Sequence, residues 1–266
     1  MTTIGVFDSG FGGLTVLRAL LPQLPGTRFL YLGDTARLPY GAKSQATIAR
    51  YAVESARFLE AQGCQHLVIA CNTATALALD DIRAAVKISV TGVIEPVVAM
   101  SQNRFPDAST LILATSATVE SHAYRDHCLR AGLNPTEKAC PLLVPLVEEG
   151  WIDHPVTREA LRIYLAEALA QCSPRLVILG CTHYPLIAPL VEETLRSLGC
   201  DAAVIDSAEV TAKAVAAQVK ENLSATSSAP ATFACYATDS VEKFRRLGSH
   251  FLGQPIPHVD LLDLGG

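Results

Sequence analysis

Leu176-Val177-Ile178-Leu179-Gly180-Cys181-Thr182-His183-Tyr184-Pro185 is the stretch whose reading decides the fold. Four apolar residues close on a glycine, and a thiol, a hydroxyl and an imidazole follow in consecutive positions. The run has the length and composition of a strand buried on both faces, as in a parallel sheet. Ligands and catalytic groups of open α/β sheets lie just beyond the carboxyl ends of such strands, which is where Cys181 falls. An isolated cysteine in such a place more often simply packs. Its meaning therefore depends on the rest of the chain.

Upstream, strand patterns at residues 4–7, 29–32, 67–70 and 90–94 alternate with helical patterns at 14–21 and 44–62. The strands end at Asp8-Ser9-Gly10-Phe11-Gly12-Gly13, Gly33-Asp34-Thr35, Cys71-Asn72-Thr73-Ala74-Thr75 and Glu95-Pro96. The pattern then starts again. Strands are predicted at 111–114, ending at Thr115; at 142–147, ending at Glu148-Glu149-Gly150; at 176–179; and at 203–205, ending at Asp206-Ser207. Asp8 and Cys71 are 63 positions apart, and Thr115 and Cys181 are 66 apart. Such alternation and repetition predict βαβ units and parallel sheets. The expected architecture is two similar doubly wound, flavodoxin-like α/β domains facing each other across a cleft. A helix over 208–223, a loop at 224–231, a strand at 232–237 and a helix at 241–251 complete the chain, and this last segment is expected to return to the first domain. The expected domains are residues 1–96 with 208–266, and residues 97–207.

Composition narrows the function. In 266 residues, 50% are hydrophobic and 18% charged, enough apolar material for full cores. A net charge of −5 and the lack of any basic run give no reason to expect nucleic acid or an anionic membrane as partner. No apolar run approaches the roughly 20 residues that span a bilayer. The N-terminus carries no basic segment with an apolar signal core, so a cytoplasmic protein is expected. Eight dispersed cysteines without a Cys-x-x-Cys pair read as reduced thiols, not as a disulfide framework or a zinc site.

Two like domains closing a cleft would place Cys71 on one wall and Cys181 on the other. Inverting a stereocentre requires two bases on opposite faces of one carbon, one removing the proton and the other delivering a new one. A thiol, with a pKa of about 8.5, can be tuned to either role. Asp8 could polarise Cys71 or hold an ammonium group, and His183 could share the proton of Cys181; each would serve equally well as ordinary capping or surface structure. The turn at Asp8–Gly13 opens a helix, where free N–H groups attract an anion. It lacks the lysine of a nucleotide loop, so a carboxylate is the expected ligand. Asn72, Thr73 and Thr182 add donors at the same level. Ser9 has no nucleophile-elbow setting.

Asp8-Ser9-Gly10-x-Gly12-Gly13-Leu14-Thr15-Val16, Pro39-Tyr40-Gly41, Cys71-Asn72-Thr73-Ala74-Thr75, Val144-Pro145-Leu146-Val147-Glu148-Glu149-Gly150 and Gly180-Cys181-Thr182-His183-Tyr184-Pro185 occur in that order. Together they resemble the glutamate racemases of the aspartate/glutamate racemase superfamily, from about residue 4 to residue 212. The resemblance implies a cofactor-independent proton transfer interconverting L- and D-glutamate, the latter for peptidoglycan. It implies Cys71 and Cys181 as the two acid/bases, Asp8 assisting Cys71, and His183 with Glu148 assisting Cys181. Glu148 is preferred over Glu149 because it directly follows the apolar segment. Asp8, Ser9, Tyr40, Gly41, Asn72, Thr73, Thr182 and His183 would line the substrate site, with Thr115 and Thr118. A homodimer is also implied. Related aspartate racemases typically carry His in place of Thr75 and Glu in place of His183, a contrast that favours glutamate.

Three other readings compete: an aspartate racemase or related two-thiol isomerase, a two-domain amino-acid-binding protein, and a pyridoxal-phosphate racemase. The last needs a Schiff-base lysine, and none of the six lysines lies at a strand-end motif.

Overall fold

The computed structural model describes residues 2–221 and 229–264. The first run of elements is β1 (Thr3–Asp8), α1 (Leu14–Leu20), β2 (Arg28–Gly33), α2 (Gln45–Ala61), β3 (His66–Ile69), α3 (Asn72–Ala85), β4 (Ser89–Gly92) and α4 (Ile94–Arg104). The second is β5 (Ser109–Ala114), α5 (Ser116–Glu120), α6 (Ala123–Arg130), β6 (Asn134–Ala139), α7 (Leu143–Glu148), α8 (Pro155–Leu169), β7 (Leu176–Gly180), α9 (Ala188–Ser197) and β8 (Ala203–Asp206). The chain ends with α10 (Ser207–Glu221), β9 (Thr232–Ala237), α11 (Val241–Leu252) and β10 (Val259–Leu261).

Two parallel sheets result, ordered β10-β9-β2-β1-β3-β4 and β6-β5-β7-β8. Every residue of β3 and β7 is buried, because helices cover both faces of a parallel sheet. β9 pairs with β2 and β10 with β9, so the segment after α10 does return to the first sheet. β1 lies between β2 and β3, and β5 lies between β6 and β7. The direction of winding reverses between β1 and β3 and again between β5 and β7, and that reversal opens a crevice at the strands' carboxyl ends. Asp8 and Cys71 emerge at the first crevice, Thr115 and Cys181 at the second. One apolar cluster includes Ile4 and Leu14 from the first sheet's layers, Leu113 and Val177 from the second sheet, and Val215 on α10. The two halves thus share packing.

Two expectations need correction. Residues 142–147 form no strand: Leu143–Glu148 is the helix α7. Pro145 sits in its first turn, where a missing N–H costs nothing. Gly150, at φ +78°, closes the helix: its N–H donates to Val147 O at 3.0 Å, and the Trp151 N–H donates to Leu146 O at 2.9 Å. The second strand of this half is instead β6, Asn-Pro-Thr-Glu-Lys-Ala. As an edge strand it tolerates Pro135 and polar side chains, so it carries no apolar signal. The strand expected at 90–94 stops at Gly92, and Ile94 opens α4. Of the expected helix at 208–223 and loop at 224–231, residues 222–228 lie outside the described residues.

Candidate active site

A cavity of about 850 Å³ lies between the carboxyl ends of the two sheets, with Cys71 on one wall and Cys181 on the other. Each thiol residue is only 5% exposed. Ser9, Tyr40, Gly41, Asn72 and Thr73 line it from the six-stranded side. From the four-stranded side come Thr115, Glu148, Thr182 and His183. Asp8 and Thr118 stand behind the wall, buried.

Cys71 caps α3. Its sulfur accepts a hydrogen bond from the Ala74 N–H at 3.4 Å, and its S–H donates to Ser9 Oγ at 3.5 Å. The helix N-terminus and the backbone N–H groups of Ala74 and Ser9 favour a thiolate. Burial and the adjacent Asp8 charge outweigh them and push the thiol up to about 12, so Cys71 holds its proton. Asp8 Oδ2 accepts from the Gly10 N–H at 2.8 Å, while its buried Oδ1 has no hydrogen-bond partner. Burial raises the pKa of Asp8, against the attraction of His183.

Cys181 has different company. His183 Nδ1 lies 3.9 Å from its sulfur, and His183 Nε2 lies 3.0 Å from Glu148 Oε1. Burial disfavours a charged imidazole, yet the contacts with Cys181 and Glu148 prevail and raise His183 to about 10. Glu148 gets there as the last residue of α7, which supplies a reason different from the strand end expected for it; Glu149 faces solvent. Thr15 Oγ1 donates to Thr182 O at 3.0 Å and ties the Cys181 loop to α1.

Between the walls, Thr73, Thr115 and Thr118 close a hydroxyl triangle with sides of 3.0, 3.2 and 2.9 Å. Asn72 Oδ1 accepts from Tyr124 OH at 2.7 Å, leaving its buried Nδ2 without a partner. An unpaired buried amide donor is costly unless a ligand uses it, and a carboxylate would. Tyr40 OH is committed to Asp34 Oδ2 at 2.5 Å, so Tyr40 offers the cavity its ring and backbone.

The glycine-rich turn contributes Ser9 to the cavity lining. Its glycines permit close packing. A Cβ on Gly13 would stand 2.5 Å from Asp8 Cβ, and one on Gly12 would stand 2.2 Å from Thr182 Oγ1. Sequence reasoning also missed Lys43, Glu120, Cys140 and Lys243, which line the cavity too. Lys43 follows the Tyr40-Gly41 pair closely enough to have been noticed; Lys243 arrives on α11, with no local signal. Among the described residues no three His, Cys, Asp or Glu side chains are grouped to hold a metal ion. No helix among them is long and apolar enough to cross a membrane.

Residues 4–215 match the Asp/Glu/Hydantoin racemase family. The glutamate racemase of Koribacter versatilis (strain Ellin345) is 50% identical, over 99% of this chain and 98% of that protein. Among solved structures, the fold is similar to glutamate racemase from Thermus thermophilus in complex with beta-chloro-D-alanine. The TM-score is 0.87 at 40% identity, over 99% of this chain and 97% of that one. It is also similar to glutamate racemase from Francisella tularensis subsp. tularensis SCHU S4 in complex with D-glutamate, with a TM-score of 0.90 at 35% identity over 99% and 98% of the two chains.

Proposed function

The chain belongs to the Asp/Glu/Hydantoin racemase family, and from that premise we propose that it interconverts L- and D-glutamate by proton transfer between two thiols. The observation that carries this reading is the pairing of Cys71 and Cys181 in one cavity, each at the matching strand end of its own sheet.

With His183 beside it, Cys181 takes the Cα proton. Charge then builds on the substrate carboxylate, which the unpartnered Asn72 Nδ2, the Thr73 hydroxyl and the N-terminus of α3 stabilise. Cys71, still protonated, delivers its proton to the opposite face, and the roles reverse for the other enantiomer. One proton leaves carbon and one returns, so the reaction needs no oxidant or reductant. Asp8 acts on Cys71 through its nearby charge, which favours the protonated thiol, and Glu148 holds the His183 proton in place. Glutamate as the substrate, D-glutamate supply for peptidoglycan, a cytoplasmic location and a homodimeric state complete the proposal. The support for glutamate comes from the relatives: the Koribacter versatilis protein is a glutamate racemase, and the Francisella tularensis glutamate racemase structure is in complex with D-glutamate.

The test is purified protein, stripped of small molecules, incubated with L-glutamate and assayed for D-glutamate with and without added pyridoxal phosphate. D-glutamate should form equally in both cases, and Cys71→Ser and Cys181→Ser should each lose most of the rate. A folded protein that racemises neither glutamate nor aspartate would contradict the reading. So would either serine variant running at the wild-type rate in both directions.

A further inference from the structure

His183 belongs to the four-stranded half, yet two contacts from the other half hold it. A Cβ on Gly12 would stand 2.6 Å from His183 Nδ1 and 2.7 Å from Cε1, so bare backbone lies directly against the imidazole. Phe251 of α11 meets the same ring edge-to-face, with centroids 5.1 Å apart and planes at 79°. Phe251 is 2% exposed, so the contact is dry. α11 is itself firmly placed. Phe244, seven positions earlier and on the same helix face, packs on Phe11 and Tyr31 at 5.7 and 5.9 Å between centroids. Between the two aromatics, Gly248 lets the helix approach α1 so closely that a Cβ there would lie 2.7 Å from Leu14 Cδ1.

We propose that Phe251 is a positioning residue: together with the bare backbone of Gly12, its ring fixes the His183 imidazole between Cys181 and Glu148. The proposal rests on the reading of His183 as the partner of Cys181. Its consequence is that the Cys181 proton relay is assembled only while α11, carried by the six-stranded half, is docked on the other half. An imidazole that swings by about 1 Å no longer addresses both sulfur and carboxylate, and displacements of that size cost up to about 100-fold in rate.

The experiment compares wild type with Phe251→Ala, Phe251→Leu, Phe251→Tyr and His183→Asn. It reads kcat, KM and the imidazole N–H signal of the His183–Glu148 hydrogen bond in ¹⁵N-histidine-labelled enzyme. Phe251→Ala should lower kcat about 10- to 100-fold with KM near wild type, and should broaden or remove that signal. Phe251→Tyr, which keeps the ring, should restore both. A merely structural role would lower the melting temperature and leave the signal and the kcat of the folded fraction alone. A folded Phe251→Ala with kcat within about twofold of wild type and an intact signal would overturn the proposal. If Phe251→Ala does not fold, Phe251→Leu decides by the same criteria. His183→Asn separates the two levels: if it is inactive while the Phe251 variants are normal, only the role of Phe251 falls, and if it is fully active both readings fall.

Discussion

Cys71 and His183 carry opposite electrostatic burdens. Burial beside a carboxylate pushes the Cys71 thiol up to about 12; the sulfur and carboxylate beside the buried His183 raise its imidazole to about 10. The second fact links stability to pH. An unfolded imidazole titrates near 6.5. The folded value lies above it, so the stabilisation is fully present below about pH 6.5 and is lost as pH rises towards 10. The melting temperature of wild type should therefore exceed that of His183→Asn most at the acid end of this window, and the gap should narrow towards pH 10. A gap constant across the window would contradict the assignment. At this scale the sequence was legible wherever a polar residue directly follows an apolar run: Asp8, Cys71, Thr115 and Cys181 all announce themselves that way. Lys243 and Phe251 could not be read, because their contacts depend on the docking of a helix from far along the chain.

The elements show where local pattern misleads. An apolar run of six residues is compatible with a strand or a short helix, and residues 142–147 were resolved the wrong way. Pro145 argues against a central strand and Gly150 marks a helix end, so punctuation was the better guide there. β6 stayed hidden for the complementary reason: an edge strand needs no apolar faces, and Asn134–Ala139 is half-exposed along most of its length. The capping of α7 matters for the site, since Glu148 lies two residues before the closing glycine. Nothing lies within 4 Å of a Cβ built on Gly150, so its φ of +78° is the whole obstacle to another residue. Gly150→Ala should cost about 1 kcal/mol in urea unfolding and should lower kcat by shifting Glu148. Unchanged stability would show that α7 ends in another way.

For the whole molecule, the alternation of strands and helices made the two-sheet plan readable, and the leftover strand and helix suggested a return to the first domain, which β9 makes by pairing with β2. The packing between the halves was not readable, because it is built from side chains more than a hundred positions apart, such as Thr15 and Thr182. We propose residues 1–96 with 208–266, and residues 97–207, as the two units, supported by which strands share a sheet. Their meeting puts one thiol on each wall, and the chemistry depends on both. The most direct measurement is the fate of the Cα hydrogen when L-glutamate is converted in deuterated water and sampled at early times. D-glutamate should carry deuterium at Cα, delivered by the exchanged thiol, while the remaining L-glutamate keeps its original hydrogen. D-glutamate that retains protium, or L-glutamate that gains deuterium as fast as product forms, would mean that a single base serves both faces and would contradict the two-thiol mechanism.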